Sequence, residues 1–272
     1  MPADALGLAL AAAVLHAGWN ALLRGARDVE AATAGALGLA VVLFAPVAAL
    51  TWDVHAAAWP YVAGSAALET VYFFLVVAAY RRRELSVVYP IARGSAPALV
   101  LLGSAVVLGR SVSAGEVAGV CLVVAGVLLV RGLARRAEGL TVGLAIGCCI
   151  AAYTLVDKEG LRHASPLPYL EIVMTPSAVI ACGWLVARRG TAVLRAQASW
   201  ATVAAAVGTF GAYALVLAAL RLAPAPSVAA VRETSVVIAA LLAAAFLHER
   251  VTPQRLAGAA AVAGGVALVA LS

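Results

Sequence analysis

Charge is scarce in this chain. Asp, Glu, Lys and Arg together make up 12% of its 272 residues, hydrophobic residues make up 64%, and the mean hydropathy is +1.02. A soluble domain is about half apolar and a quarter charged, so that class is excluded. Long polar loops are also missing, which leaves nowhere outside the apolar segments to build a site. Histidine is sparse and scattered (His16, His55, His163 and His248), and neither His-Glu-x-x-His nor Gly-x-Ser-x-Gly occurs. Without those motifs, an enzyme would have to assemble its catalytic groups from distant helices. The four cysteines, Cys121, Cys148, Cys149 and Cys182, all fall within apolar segments. They read as small buried packing residues rather than a disulfide framework or a zinc site, and no metal or other cofactor is expected. Lysine is rare beside arginine and alanine, the compositional mark of a high-GC bacterial genome and hence of a plasma (inner) membrane.

What the chain has is apolar length. A hydrocarbon core of about 30 Å needs about 20 apolar residues per helix. Such segments run near 5–23, 31–52, 60–80, 87–109, 115–131, 139–157, 167–187, 199–221, 226–247 and 254–271. The expected fold is therefore an all-α membrane protein of ten transmembrane helices. No Lys or Arg precedes the first segment, and Arg24 and Arg27 follow it, the pattern of a retained helix rather than a cleaved signal peptide.

The net charge of +6 comes from residues dispersed over short loops, so it reads as a topology signal and not as a nucleic-acid surface. Loops after odd-numbered segments carry Arg24, Arg27, Arg81, Arg82, Arg83, Arg131, Arg135, Arg136, Arg188, Arg189, Arg195, Arg250 and Arg255. The other side carries Arg110, Lys158, Arg162 and Arg221. The positive-inside rule makes the first group cytoplasmic and places both termini outside.

The chain also contains one stretch twice. Moving along by 139 positions lays Arg93 on Arg232, Val112 on Val251, Gly119 on Gly258, Val123 on Val262, Gly126 on Gly265 and Val130 on Val269, without a gap. Residues 1–136 and 137–272 then form two repeats. Five segments per repeat is an odd number, so the second repeat enters the membrane inverted. That construction gives many secondary transporters two openings around one central site.

Ionisable residues inside apolar segments are functional candidates by default. The duplicated Arg93 and Arg232 come first, read as two gates toward opposite faces or as snorkelling structural charges. Glu69 sits mid-segment, with Arg93 as its expected partner and proton coupling as its further role. Glu233 lies in the polar run Arg232-Glu233-Thr234-Ser235. His16 and Asn20, four apart on one helix face, either wall a cavity or bond neighbouring helices. Tyr153 and Tyr213 shape a pocket, while Asp157-Lys158-Glu159 reads as a solvated helix end. Glu171 is placed to pair with Arg232, and Pro90 and Pro97 to bend or unwind the fourth segment. Gly115 with Gly119, and Ala261 with Gly265, are small-residue pairs for close helix packing, with homodimerisation as their minority reading.

The Tyr89 to Pro97 tract, the link Leu108-Gly109-Arg110-Ser111 with its second copy Leu247-His248-Glu249-Arg250, and the terminal Ala/Gly-rich helix together resemble the drug/metabolite transporter superfamily, specifically its ten-helix EamA-type members. His16-Ala17-Gly18-Trp19-Asn20 and Tyr153-Thr154-Leu155-Val156-Asp157-Lys158 look similar to bacterial members. The resemblance covers nearly the whole chain as two EamA-like units. It implies a helical basket around a central cavity and export of a small-molecule substrate such as an amino acid, metabolite or drug. The first copy departs from the family's Gly-Glu link by carrying Arg110. The competing readings are a membrane-embedded enzyme and a non-transporting receptor or assembly subunit.

Overall fold

The computed structural model describes residues 1–24, 26–81, 85–131, 139–247 and 252–272. Arg82, Arg83, Arg135, Arg136, His248, Glu249 and Arg250 lie outside the described residues. The helices in order are α1 (Ala3–Arg24), α2 (Val29–Leu50), α3 (Trp59–Arg81), α4 (Leu85–Val106), α5 (Ala114–Arg131), α6 (Leu140–Gly160), α7 (Pro166–Arg189), the short α8 (Ala192–Arg195), α9 (Trp200–Leu222), α10 (Ala225–Arg232), α11 (Thr234–Leu247) and α12 (Pro253–Leu271). Among the described residues the only strand-like pairing is one bridge, Val54 with Ala164.

Several helices start at a side-chain cap that the sequence supplies. Asp28 accepts the amide of Ala31, Ser199 that of Thr202, and Thr252 that of Arg255. At α5 the Ser113 hydroxyl accepts the Glu116 amide while the Glu116 carboxylate accepts the Ser113 amide. That reciprocal box satisfies two backbone donors that would otherwise be left at a helix end.

Among the described residues, seven helices are long and apolar enough to cross a membrane: α1, α2, α3, α6, α7, α9 and α12. α4 and α5 contribute shorter apolar stretches, Ile91–Val106 and Ala114–Val130. Large apolar side chains stay on the outside, such as Val42 at 69% and Val179 at 65% exposure. That is the arrangement expected where lipid is the solvent.

Two expectations are corrected here. The expected unwinding of the fourth segment does not occur: it is one continuous helix through both Pro90 and Pro97, since each proline removes a single backbone donor without forcing the chain out of helical φ. The break falls instead in the ninth segment, where α10 ends at Arg232 and α11 begins at Thr234.

Packing follows a paired pattern. α5 lies against α12, and α2 against α7; α1 packs on α9 as α6 does on α3; α4 packs on α6 as α10 and α11 do on α1. The α5–α12 seam is built on glycine. A methyl group on Gly126 would lie 2.7 Å from the Gly258 carbonyl oxygen and the Val262 amide nitrogen, and one on Gly265 would lie 2.6 Å from the Gly119 carbonyl oxygen. Backbones therefore touch at two places related by the 139-residue shift.

Candidate functional site

A cavity of about 610 Å³ lies between the helices, and all the residues that matter for its chemistry project from α1, α2, α3, α4, α6, α7, α9 and α10. At one end it reaches Leu23, Val29 and Glu30 around the α1–α2 connection, and Ala79 and Val88 on either side of the α3–α4 connection. Both connections belong to the arginine-rich set of loops. From there it extends inward past His16, Trp19 and Asn20 to Glu69, Tyr72, Tyr153, Tyr213, Arg93 and Arg232.

Seven of the eight site candidates line this one space: Arg93, Arg232, Glu69, His16, Asn20, Tyr153 and Tyr213. Glu233 does not line it. It is buried behind the wall at 1% exposure, in the break between α10 and α11. Its Oε2 lies 3.1 Å from Arg93 Nε, and Arg93 Nη2 donates to Ser235 Oγ at 3.1 Å. The expected pairing of Arg93 with Glu69 is therefore replaced by pairing with Glu233, which the break between α10 and α11 brings against α4. Arg93 and Arg232 also share a single cavity, where the sequence suggested two separate ends.

Arg232 stands at the C-terminus of α10, where the helix dipole favours a cation. It is 8% exposed, and its Nε has no hydrogen-bond partner. Tyr153 lies beside it, and its charge acts at longer range on Glu69 and Asp157. The expected ion pair of Arg232 with Glu171 does not form. Glu171 is buried on α7 outside the cavity, with its Oε2 unbonded.

Aromatic rings form the walls. Tyr72 meets Tyr153 edge-on at 6.2 Å between ring centres, and Tyr153 leans on Tyr213 at 6.1 Å. His16 and Trp19 meet edge-on at 5.1 Å, and the Asn20 amide donates to the His16 carbonyl at 2.8 Å. Both His16 and Asn20 line the cavity, and the Asn20 amide bonds its own helix rather than a neighbouring one.

One helical turn beyond Tyr153, behind the cavity wall, lies Asp157, which is a correction to its reading as a solvated helix end: it is 0% exposed. Its carboxylate accepts hydrogen bonds from Ser65 Oγ on α3 at 2.5 Å, Tyr169 on α7 at 3.0 Å and Tyr213 on α9 at 2.7 Å. Four helices are tied at one carboxylate. Beyond it, Lys158 Nζ donates to the Ala223 carbonyl at 3.1 Å and to that of Leu220, capping the end of α9. The Ser165 amide and hydroxyl both bond Asp53. Sequence reading undervalued Asp157, although its spacing of four from Tyr153 was the available signal. It missed Thr33, Ser177 and Thr209 in the cavity wall, because hydroxyls in apolar helices commonly serve their own backbone.

A protein of known crystal structure, 17% identical to this chain, superposes with a TM-score of 0.79 over 100% of this chain and 98% of its own length. At that identity the likeness shows the fold alone. No curated protein is found that matches the sequence. The EamA-like transporter family matches twice, over residues 5–132 and 137–271. Since those matches take in nearly the whole of a helical chain whose candidate site residues, all but Glu233, line one cavity, this protein belongs to the EamA-like transporter family.

Proposed function

We propose that the protein is a secondary transporter that exports a small amphipathic metabolite, amino-acid-like or drug-like, across a bacterial plasma membrane by alternating access. One observation carries this reading: a cavity of about 610 Å³ is lined from the arginine-rich connections inward to Glu69, Tyr153, Tyr213 and Arg232, with the buried Asp157 cluster one helical turn beyond Tyr153. Its volume falls in the range of sites for small organic ligands, roughly 300–1,000 Å³. Its chemistry suits a molecule with an anionic group for the arginines, a cationic or donor group for Glu69, and a body that packs on Tyr72, Tyr153 and Tyr213. Glu69 is also the candidate proton carrier.

In this reading the ten segments span the membrane as two inverted five-helix units, 1–136 and 137–272, with both termini external. Three observations support it. The family matches the chain twice, the helix contacts pair off under exchange of the units, and the Met1 amino group donates to the Ala270 carbonyl at 2.7 Å, which puts the two ends of the chain on one side. The state described is then open to the cytoplasm and closed outside, as an exporter awaiting its load would be.

The test is flux. Purified protein in liposomes, challenged with amino acids, other carboxylates, sugars and cationic drugs, should move at least one class, and dissipating the proton gradient should abolish accumulation if Glu69 couples protons. Binding without flux would favour a receptor, and chemical conversion of a panel member would favour an enzyme.

A further inference from the structure

The two duplicated arginines occupy one cavity in different electrical states, and the difference is written in the residue that follows each. After Arg232 comes Glu233; at the matching place after Arg93 comes Gly94 (233 less 139 is 94). In the folded chain Glu233 reaches across and pairs with Arg93 at 3.1 Å, with Ser235 completing the contact. The reciprocal bond from position 94 to Arg232 is impossible because glycine has no side chain. Among the described residues Arg232 has no carboxylate within ion-pair distance, although it is 8% exposed and lines the cavity. Its Nε is buried without a hydrogen-bond partner, and the side chain that its guanidinium does hydrogen-bond is the neutral phenol of Tyr153 rather than a carboxylate. The acidic groups that act on it from further away are Glu69 and Asp157, and Asp157 is already engaged by three hydroxyls.

From this asymmetry we infer that Arg232 alone is the anchor for the substrate's anionic group, and that Arg93 is a positioning residue whose charge is spent on holding α4 to the α10–α11 break. The inference rests on the reading of the cavity as the substrate site. A charge taken out of water and left without a counter-ion is costly, and a carboxylate brought by a ligand relieves that cost at Arg232. At Arg93 the same carboxylate would have to displace Glu233.

Thermal unfolding of the purified, ligand-free protein in detergent separates the two roles. Arg232→Met removes a buried charge that no carboxylate contacts, so its midpoint stays within about 2 °C of the parent or rises. Arg93→Met strands Glu233 and lowers the midpoint by about 5 °C or more, and the double variant Arg93→Met/Glu233→Gln recovers most of that loss. The double variant is informative even if Arg93→Met alone fails to fold. Sodium phenylacetate, the carboxylate probe, raises the midpoint of the parent and of the double variant but not of Arg232→Met.

A fall in Arg232→Met as large as that in Arg93→Met would overturn the assignment. So would a double variant that does not recover, or an equal phenylacetate shift in Arg232→Met. These readouts need no flux. Failure of every panel compound to cross liposomes would sink the transport reading while leaving the stability pattern of the two arginines to stand or fall separately.

Discussion

Tyr213 donates a 2.7 Å hydrogen bond to Asp157 while its ring forms part of the cavity wall. The same side chain therefore belongs to the binding space and to the closure beyond it. A ligand that displaces Tyr213 also loosens Asp157. In the alternating-access reading proposed above, this is the simplest physical link between loading and opening.

Asp157→Ala removes the common acceptor of three hydroxyl groups on three helices. Hydrogen bonds to a charged group contribute about 1.5–3 kcal/mol each, so the closed state should lose population about tenfold or more. In a cysteine-free background with Ala212→Cys in the cavity wall, a membrane-impermeant thiol reagent added outside intact cells should label the variant much faster than its parent. Equal labelling rates would show that Asp157 does not hold the far end shut.

Gly126→Ala and Gly258→Ala each set a methyl group 2.7 Å from partner backbone. The α5–α12 seam must part to admit it, at about 1–3 kcal/mol, read as a lowered unfolding midpoint. Gly7→Ala and Gly183→Ala meet nothing within 4 Å and should be neutral or slightly stabilising, since alanine favours helix.

Gly94→Glu restores in the first repeat the carboxylate that Glu233 supplies in the second. The new side chain starts 3.2 Å from Leu128 Cδ2, a contact that a leucine rotamer can relieve. It should neutralise Arg232 and cut the affinity of carboxylate ligands about tenfold or more, with cationic ligands unaffected or improved. Competition binding with phenylacetate and phenethylamine measures both sides.

Arg189 joins the mouth of the cavity to α7, donating to Asp28 at 2.7 Å and to Glu30 at 2.5 Å. The group is half exposed, so Arg189→Gln should lower stability by at most about 1 kcal/mol. That difference should shrink in molar salt as the exposed charges are screened. A loss that is large and independent of salt would mean that Arg189 is packed rather than paired.

The positions of the apolar helices could be read from the sequence, because a charge-poor run of about 20 residues has few other uses. Arg93, Arg232 and Glu69 could be picked out for the same reason, as charges where charge is expensive. Their partners could not. Arg93 meets Glu233 rather than Glu69, and Asp157 meets Ser65, Tyr169 and Tyr213; every one of these contacts crosses between helices. Periodicity orders residues along one helix but does not say which faces of different helices converge. The placement of the helix break failed for a related reason. Proline marks where a helix loses a donor, whereas the break at Glu233 coincides with a partner on α4 that no local signal reveals.

The glycine seam between α5 and α12 presents the same surface from both sides: Gly119 meets Gly265, and Gly126 meets Gly258. In the language of assemblies it is an isologous contact, the kind that normally relates two subunits of a dimer, enclosed here within one polypeptide. Its fit comes from bare backbone, which every glycine offers alike, so the surface is complementary to itself. Because each half covers the other, that self-complementary face is already occupied before the protein meets a second copy of itself.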